Sequence, residues 1–302
     1  RCMRSNSITV VIGGRRRGPG ASKRGGKRGS VVAVRGAKPL RVKLGSIDGK
    51  TQLSEGYATA GQGQGGLGTG GVLWDSALFL ARWIKAARGK LFAAEGGGGG
   101  RSVLELGSGL GLPGIVAAAC APASSRVVLT DCVAEVLATL DANVRANAVA
   151  SGASAVAVEL DWRELDAGAQ RIIEASGGGD SSDDMATAER VTFDVLLAAD
   201  LIYMVEMATL LADVICRFLA PNGVVLAIFP ANRHGVEEFF AIMEERGFVC
   251  EVGPPPAACV GPAMSVRWCP GKHRCCVLYR QSGDDGSGAK EGGDAQWSGL
   301  LE

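Results

Sequence analysis

Apolar and polar positions between residues 70 and 280 fall into short and long blocks that alternate along the chain. Short runs with strand character lie at Ser102–Leu106, Arg126–Thr130, Ala155–Leu160, Phe193–Ala198 and Gly223–Phe229. Between and after them, apolar residues at helical spacing predict helices over Gly114–Ala121, Val133–Ala146, Ala208–Leu219 and Glu237–Arg246. An earlier amphipathic helix is predicted over Val72–Ile84, joined to the first strand through the pentaglycine Gly96–Gly100. Repeated βα units imply a parallel sheet covered on both faces. Two further runs, Phe248–Val252 and Arg274–Arg280, have no helix between them and flank Pro254-Pro255-Pro256; they are expected to pair antiparallel at one edge. Five parallel strands and this closing pair make seven, where a six-stranded dinucleotide fold has no need of a terminal hairpin. The expected class is therefore α/β: a doubly wound, seven-stranded, Rossmann-like sheet with a terminal antiparallel hairpin.

Composition adds boundaries to this pattern. The 302 residues are 47% hydrophobic and 21% charged, as in an ordinary globular protein. The net charge of +1 conceals an asymmetry, because residues 1–50 carry 14 Lys or Arg and one acid. Residues 1–66 read as a basic, glycine-rich, largely disordered extension, with Arg15-Arg16-Arg17, Lys23-Arg24 and Lys27-Arg28 set among Gly and Ser. Such an arm suits RNA binding, a nuclear signal, a transit peptide or a merely solvated extension. The start at Arg1 fits an incomplete N-terminus. The folded domain is expected over 67–281, interrupted by a disordered insertion at about 176–190 and followed by a disordered tail, 282–302.

Other classes find little material. Nine cysteines include no CxxC pair, and Cys120, Cys216, Cys275 and Cys276 lie in apolar segments as core thiols. This predicts a reducing compartment, taken as the cytoplasm with nuclear or organellar destinations open through the arm, and no zinc. With His234 and His273 as the two histidines, a metal cluster or a Ser/His/Asp triad is not expected. No apolar run approaches the roughly 18 residues that cross a bilayer. A monomer is expected, with nucleic acid reached only through the arm.

Candidate chemistry begins where the first strand enters Glu105-Leu106-Gly107-Ser108-Gly109-Leu110-Gly111-Leu112-Pro113-Gly114. Glycines there allow close backbone approach to a ligand and positive φ. Gly109, Gly111 and Gly114 also satisfy a dinucleotide fingerprint. Glu105 argues against that alternative, since its carboxylate suits an ammonium and sits badly beside a pyrophosphate. S-adenosylmethionine has the ammonium and lacks the pyrophosphate. Asp131, ending the second strand, can accept from ribose hydroxyls or simply cap the next helix. Asp161 can reach an adenine amino group and Trp162 can cover the ring or belong to the core. Ala199-Asp200-Leu201-Ile202-Tyr203 places a carboxylate and a phenol three residues apart at the carboxyl edge of the sheet. Arg233 and His234, after the fifth strand, read as substrate contacts or as a surface pair and are left outside the site.

Trp74-Asp75, the run from Val103 to Gly114, Leu129-Thr130-Asp131, Asn143-Val144 with Asn147, Asp161-Trp162 and Asp200-Leu201-Ile202-Tyr203, in this order and spacing, resemble the lysine methyltransferase-like seven-β-strand family, family 16 of the class I S-adenosylmethionine-dependent methyltransferases. The likeness covers roughly residues 67 to 281. It implies that Glu105, Gly107, Ser108, Gly109 and Gly111 cradle the methionine end of the cofactor and that Asp131 holds the ribose. It further implies that Asp161 and Trp162 hold the adenine, that Trp74 and Ala199 line the same pocket, and that Asp200 and Tyr203 match an Asp/Glu-x-x-Tyr/Phe motif holding a substrate amine. The implied partner is a protein presenting a lysine; a small-molecule amine, a histidine or an arginine is the alternative acceptor, and a non-catalytic binding protein the alternative of another class. A long stretch after the third strand and the glycine-rich Gly61–Gly71 depart from the pattern.

Overall fold

In the computed structural model of the protein, the structure describes residues 7–12, 40–45, 70–93, 99–148, 152–176, 191–259, 272–280 and 296–301. Nine strands occupy these residues: β1 Ser7–Ile12, β2 Leu40–Gly45, β3 Ser102–Leu106, β4 Arg126–Asp131, β5 Ser154–Glu159, β6 Phe193–Ala199, β7 Leu219–Pro230, β8 Phe248–Gly253 and β9 His273–Arg280. Six α-helices accompany them: α1 Asp75–Leu91, α2 Leu112–Cys120, α3 Ala134–Asn147, α4 Leu165–Ala175, α5 Glu206–Phe218 and α6 Val236–Glu245.

Seven strands form one sheet in the order β5-β4-β3-β6-β7-β9-β8. The first five are parallel and β9 runs antiparallel to both β7 and β8, so the expected closing pair is present with its second strand inserted between β7 and the edge. Successive residues of the central strands are buried on opposite faces. Val224, Leu226 and Ile228 join one core, whereas Val225, Ala227 and Phe229 join the other. Helices α1, α2 and α3 cover the first face and α4, α5 and α6 the second. β3 lies between β4 and β6, so the connections that leave β3 and β6 part to opposite sides, the switch point where open α/β sheets bind ligands.

Three elements depart from the sequence reading. The extension 1–66 contains β1 and β2, which pair antiparallel and bury Val10, Ile12, Val42 and Leu44 against the α1–α3 layer. Lys85 Nζ donates to Ile12 O (2.7 Å), and Asn147 exchanges hydrogen bonds of 2.9 and 2.8 Å with the Lys43 backbone. Around β2 this pattern of period two lies among Lys38, Arg41 and Lys43, which hides it. Helix α4 was not anticipated: Gly168 gives it low helix propensity, and a Cβ there would lie 2.2 Å from Leu160 Cδ1, so the glycine buys close packing on β5. Within the tail, Trp297 is fully buried and donates to Asn222 O (3.2 Å), while Leu300 O accepts from Trp83 Nε1 (2.7 Å). Of the expected insertion at about 176–190, Ser176 caps α4 and residues 177–190 lie outside the described residues. Among the described residues no helix is long and apolar enough to cross a membrane.

Candidate active site

A cavity of about 250 Å³ opens at the carboxyl ends of β3, β4, β5 and β6. The twelve residues assigned to the site from the sequence all lie in its wall.

The floor is the turn after β3. Gly107, Gly109 and Gly111 have φ of +53°, +52° and +81°, values that L side chains rarely adopt. A Cβ at Gly107 would stand 2.6 Å from Leu201 Cδ2, and one at Gly111 would stand 2.4 Å from Leu140 Cδ1. The turn is fastened to β4: Ser108 N–H donates to Thr130 O (2.7 Å), and Ser108 Oγ accepts from Thr130 N–H (3.0 Å). Ser108 thus shapes the cradle through the backbone. Gly111→Ala is expected to destabilise the chain by about 2 kcal/mol, from left-handed strain and overpacking against Leu140. Denaturant unfolding measures it.

Glu105 is 2% exposed, and its Oε2 accepts from Gly114 N–H at the start of α2 (3.0 Å). Burial raises its pKa to about 8, with Asp131 adding to the rise, against the opposing hydrogen bonds of Ser108 and Gly114. The carboxyl therefore lies beneath the cradle and faces the cavity from below.

Asp131 caps the following helix, one of the two readings the sequence allowed, and also braces the glycine turn. Its Oδ2 accepts from Gly109 N–H (3.0 Å), tying the cradle to β4, while Oδ1 accepts from Cys132 and Val133 N–H (2.9 and 3.2 Å) at the start of α3. Asp161 Oδ1 accepts from Arg163 N–H (2.9 Å) and its side chain stays partly open to the cavity. Trp162 packs its ring against the second core from the cavity wall, and Trp74 precedes α1 on the opposite side. Ala199 ends β6.

Asp200 has a left-handed φ of +56°, unusual for a residue with a side chain, and its N–H donates to Ile228 O (2.9 Å). Its carboxylate is 5% exposed and is held by a two-pronged ion pair. Arg233 Nε donates to Oδ1 and Nη2 to Oδ2, each at 3.0 Å. Burial raises the Asp200 pKa, and the hydrogen bonds and charge of Arg233 oppose the rise. Arg233, left outside the site by the sequence reading, is thus bound to its central carboxylate, whereas His234 is exposed. A signal did exist: β6 and β7 are adjacent and parallel, with Ala199 beside Ile228, so their exits share one edge. Tyr203 and Met204 line the mouth of the cavity, exposed by 43% and 49%, and Val205 follows them on the surface, exposed by 47%. Burial of its inner part, then the charges of Cys132 and Asp131, raise the Tyr203 pKa.

A family model described as lysine methyltransferase matches residues 59–174 and 178–246. The chain belongs to the lysine methyltransferase family. Its relatives include the protein-lysine N-methyltransferase EEF2KMT of Mus musculus, 30% identical over 218 residues that make up 67% of this chain and 56% of that one. The protein N-lysine methyltransferase METTL21A of Danio rerio is 30% identical over 188 residues, 62% of this chain and 72% of that one. The calmodulin-lysine N-methyltransferase of Arabidopsis thaliana is 30% identical over 151 residues, 49% and 43% of the two chains. The chain spans about half the length of the EEF2KMT relatives.

Proposed function

We propose that the protein is an S-adenosyl-L-methionine-dependent protein-lysine N-methyltransferase whose acceptor is the ε-amine of a lysine in another protein. The observation that carries this reading is the continuity of one cavity from the glycine cradle, past Asp131 and Asp161-Trp162, to Asp200 and an apolar rim open to solvent. The donor set suits the cofactor. Carboxyl groups at 105, 131 and 161 match ammonium, hydroxyl and amino donors, with Glu105 ionising as the ammonium binds, and they disfavour the phosphates of a dinucleotide. Glycines at 107 and 109 leave the backbone free to lie against the methionine end, and Trp74 and Trp162 offer ring faces.

When bound, the cofactor supplies an electrophilic methyl group to the lone pair of an unprotonated amine. The chain's own residues align and desolvate that amine. A free lysine, with a pKa of about 10.4, is unprotonated about once in 2,500 molecules at pH 7, a cost of roughly 4.6 kcal/mol. Asp200 accepts an N–H of the amine through a lone pair that Arg233 leaves unused, and Tyr203 bounds its approach from the rim. Met204 and Val205 present apolar surface to the residues flanking the lysine, a rim suited to a polypeptide acceptor. Names of the relatives point to the same acceptor class. Free thiols at all cysteines of the described residues fit a reducing compartment such as the cytoplasm.

The test uses tritiated cofactor and a cell lysate, untreated or with its lysines acylated beforehand. Label in the protein fraction that acylation abolishes is the expected result. Label confined to small molecules, or undiminished by acylation, would overturn the lysine assignment.

A further inference from the structure

The Arg233–Asp200 pair calls for a role beyond holding a turn. Arg233 N–H donates to Pro230 O (3.2 Å) and Ala231 N–H to Lys272 O (2.8 Å), which fixes the turn leaving β7. Two residues on, Gly235 has φ of +89°, and a Cβ there would lie 3.0 Å from Val205 Cα and 3.4 Å from Met204 O. The turn bearing Arg233 is therefore packed against the very rim that the acceptor must cross. The guanidinium meets both oxygens of a carboxylate that is 5% exposed, an expensive arrangement to bury and a rigid one once made.

Resting on the lysine-methyltransferase reading of this site, we propose that Arg233 is a positioning residue for methyl transfer. By clamping both oxygens of Asp200 it keeps that carboxylate ionised and lowers the proton affinity of the acceptor end of the cavity, so that the amine docks beside an acceptor without being held as an ammonium. An unpaired buried carboxylate would do the reverse, since a lone negative charge favours the charged form of the amine beside it. The other ionisable groups around the cavity are Tyr203, Cys132, Asp131, Asp161 and Arg163 at the mouth and Glu105 below the cradle, with His234 and Glu206 exposed nearby. Arg233 is the charged group that acts directly on Asp200.

The experiment compares the full chain with Arg233→Met, Arg233→Lys and the double variant Arg233→Met/Asp200→Asn. S-adenosylhomocysteine binding serves as the control for folding. In Arg233→Met the pH midpoint of kcat for a lysine acceptor, which reports the bound amine, is expected to move upward by about one unit, with about a tenfold loss at pH 7 recovered at high pH. Arg233→Lys, which keeps the charge without the fork, should lie between it and wild type. A second readout needs no turnover: with carbon-13 on the aspartate carboxyls, infrared spectra of the ligand-free Arg233→Met chain at pH 7 should show a protonated carboxyl band absent from wild type and from the double variant. Equal loss at every pH, with no such band in a variant that still binds S-adenosylhomocysteine, overturns the proposal. Should wild type methylate no lysine, the lysine reading fails on its own, and the infrared band in the ligand-free chain still decides whether Arg233 controls the proton on Asp200.

Discussion

Asp200→Asn should lower methyl transfer by about 100-fold or more while leaving affinity for S-adenosylhomocysteine within a few-fold of wild type. The amide preserves shape but surrenders the charge, and it cannot offer two acceptors to both Arg233 and an amine. Arg233, with 19% of its side chain exposed, is then left beside a neutral partner, and its charge opposes an incoming lysine. Losses of about 10²- to 10⁴-fold are usual when a group that handles the reacting proton is removed. Binding is best followed with the neutral sulfide product, because the sulfonium of the substrate cofactor would itself feel the unpaired guanidinium. The variant should also unfold at a lower temperature, so rates belong well below its midpoint. A rate within a few-fold of wild type would remove Asp200 from the acceptor site.

Glu105→Gln should erase a pH dependence that wild type displays. In the ligand-free chain the carboxyl titrates near pH 8 against an ordinary value of 4.5. Between those values the folded state retains a proton that the unfolded chain has released, so stability falls as pH rises from about 4.5 to about 8 and then levels. An ammonium placed beside the carboxyl favours the ionised form, and binding below pH 8 therefore releases a proton. Affinity should tighten with pH by up to about tenfold per unit between pH 6 and 8. Calorimetric titration in two buffers of different ionisation enthalpy measures both the slope and the proton. Gln at this position still accepts from Gly114 N–H but has no proton to lose, so both slopes should flatten. A wild-type affinity independent of pH, or a slope that survives the substitution, would place the ligand's ammonium elsewhere.

Much of this site could be read along the chain because its parts are local. The glycine turn follows β3 within a few residues, Asp131 ends β4, Asp161 follows β5 and Asp200 follows β6, so finding the strand ends finds the residues. What escaped the reading depends on contacts between distant segments. Arg233 reaches Asp200 across 33 residues, through the adjacency of β6 and β7. Strand β2 is held by Asn147 from 104 residues away, and its alternating Val42 and Leu44 are too short a pattern to stand out in a basic segment. Ser108 and Glu105 show the other boundary. Residue type and position placed them at the cradle, yet the Ser108 hydroxyl is spent on Thr130 and the Glu105 carboxyl lies under the turn, which depends on packing by α2 and β4.

Residue-level mass spectrometry tests the central claim most directly. Lysate proteins incubated with carbon-13-methyl S-adenosylmethionine and wild type would be compared with those incubated with Asp200→Asn. A labelled methyl group on the ε-amine of a lysine, present with wild type and lost with the variant, is the predicted result. Label on histidine, arginine or a carboxyl group, or lysine label equal in both samples, would contradict it.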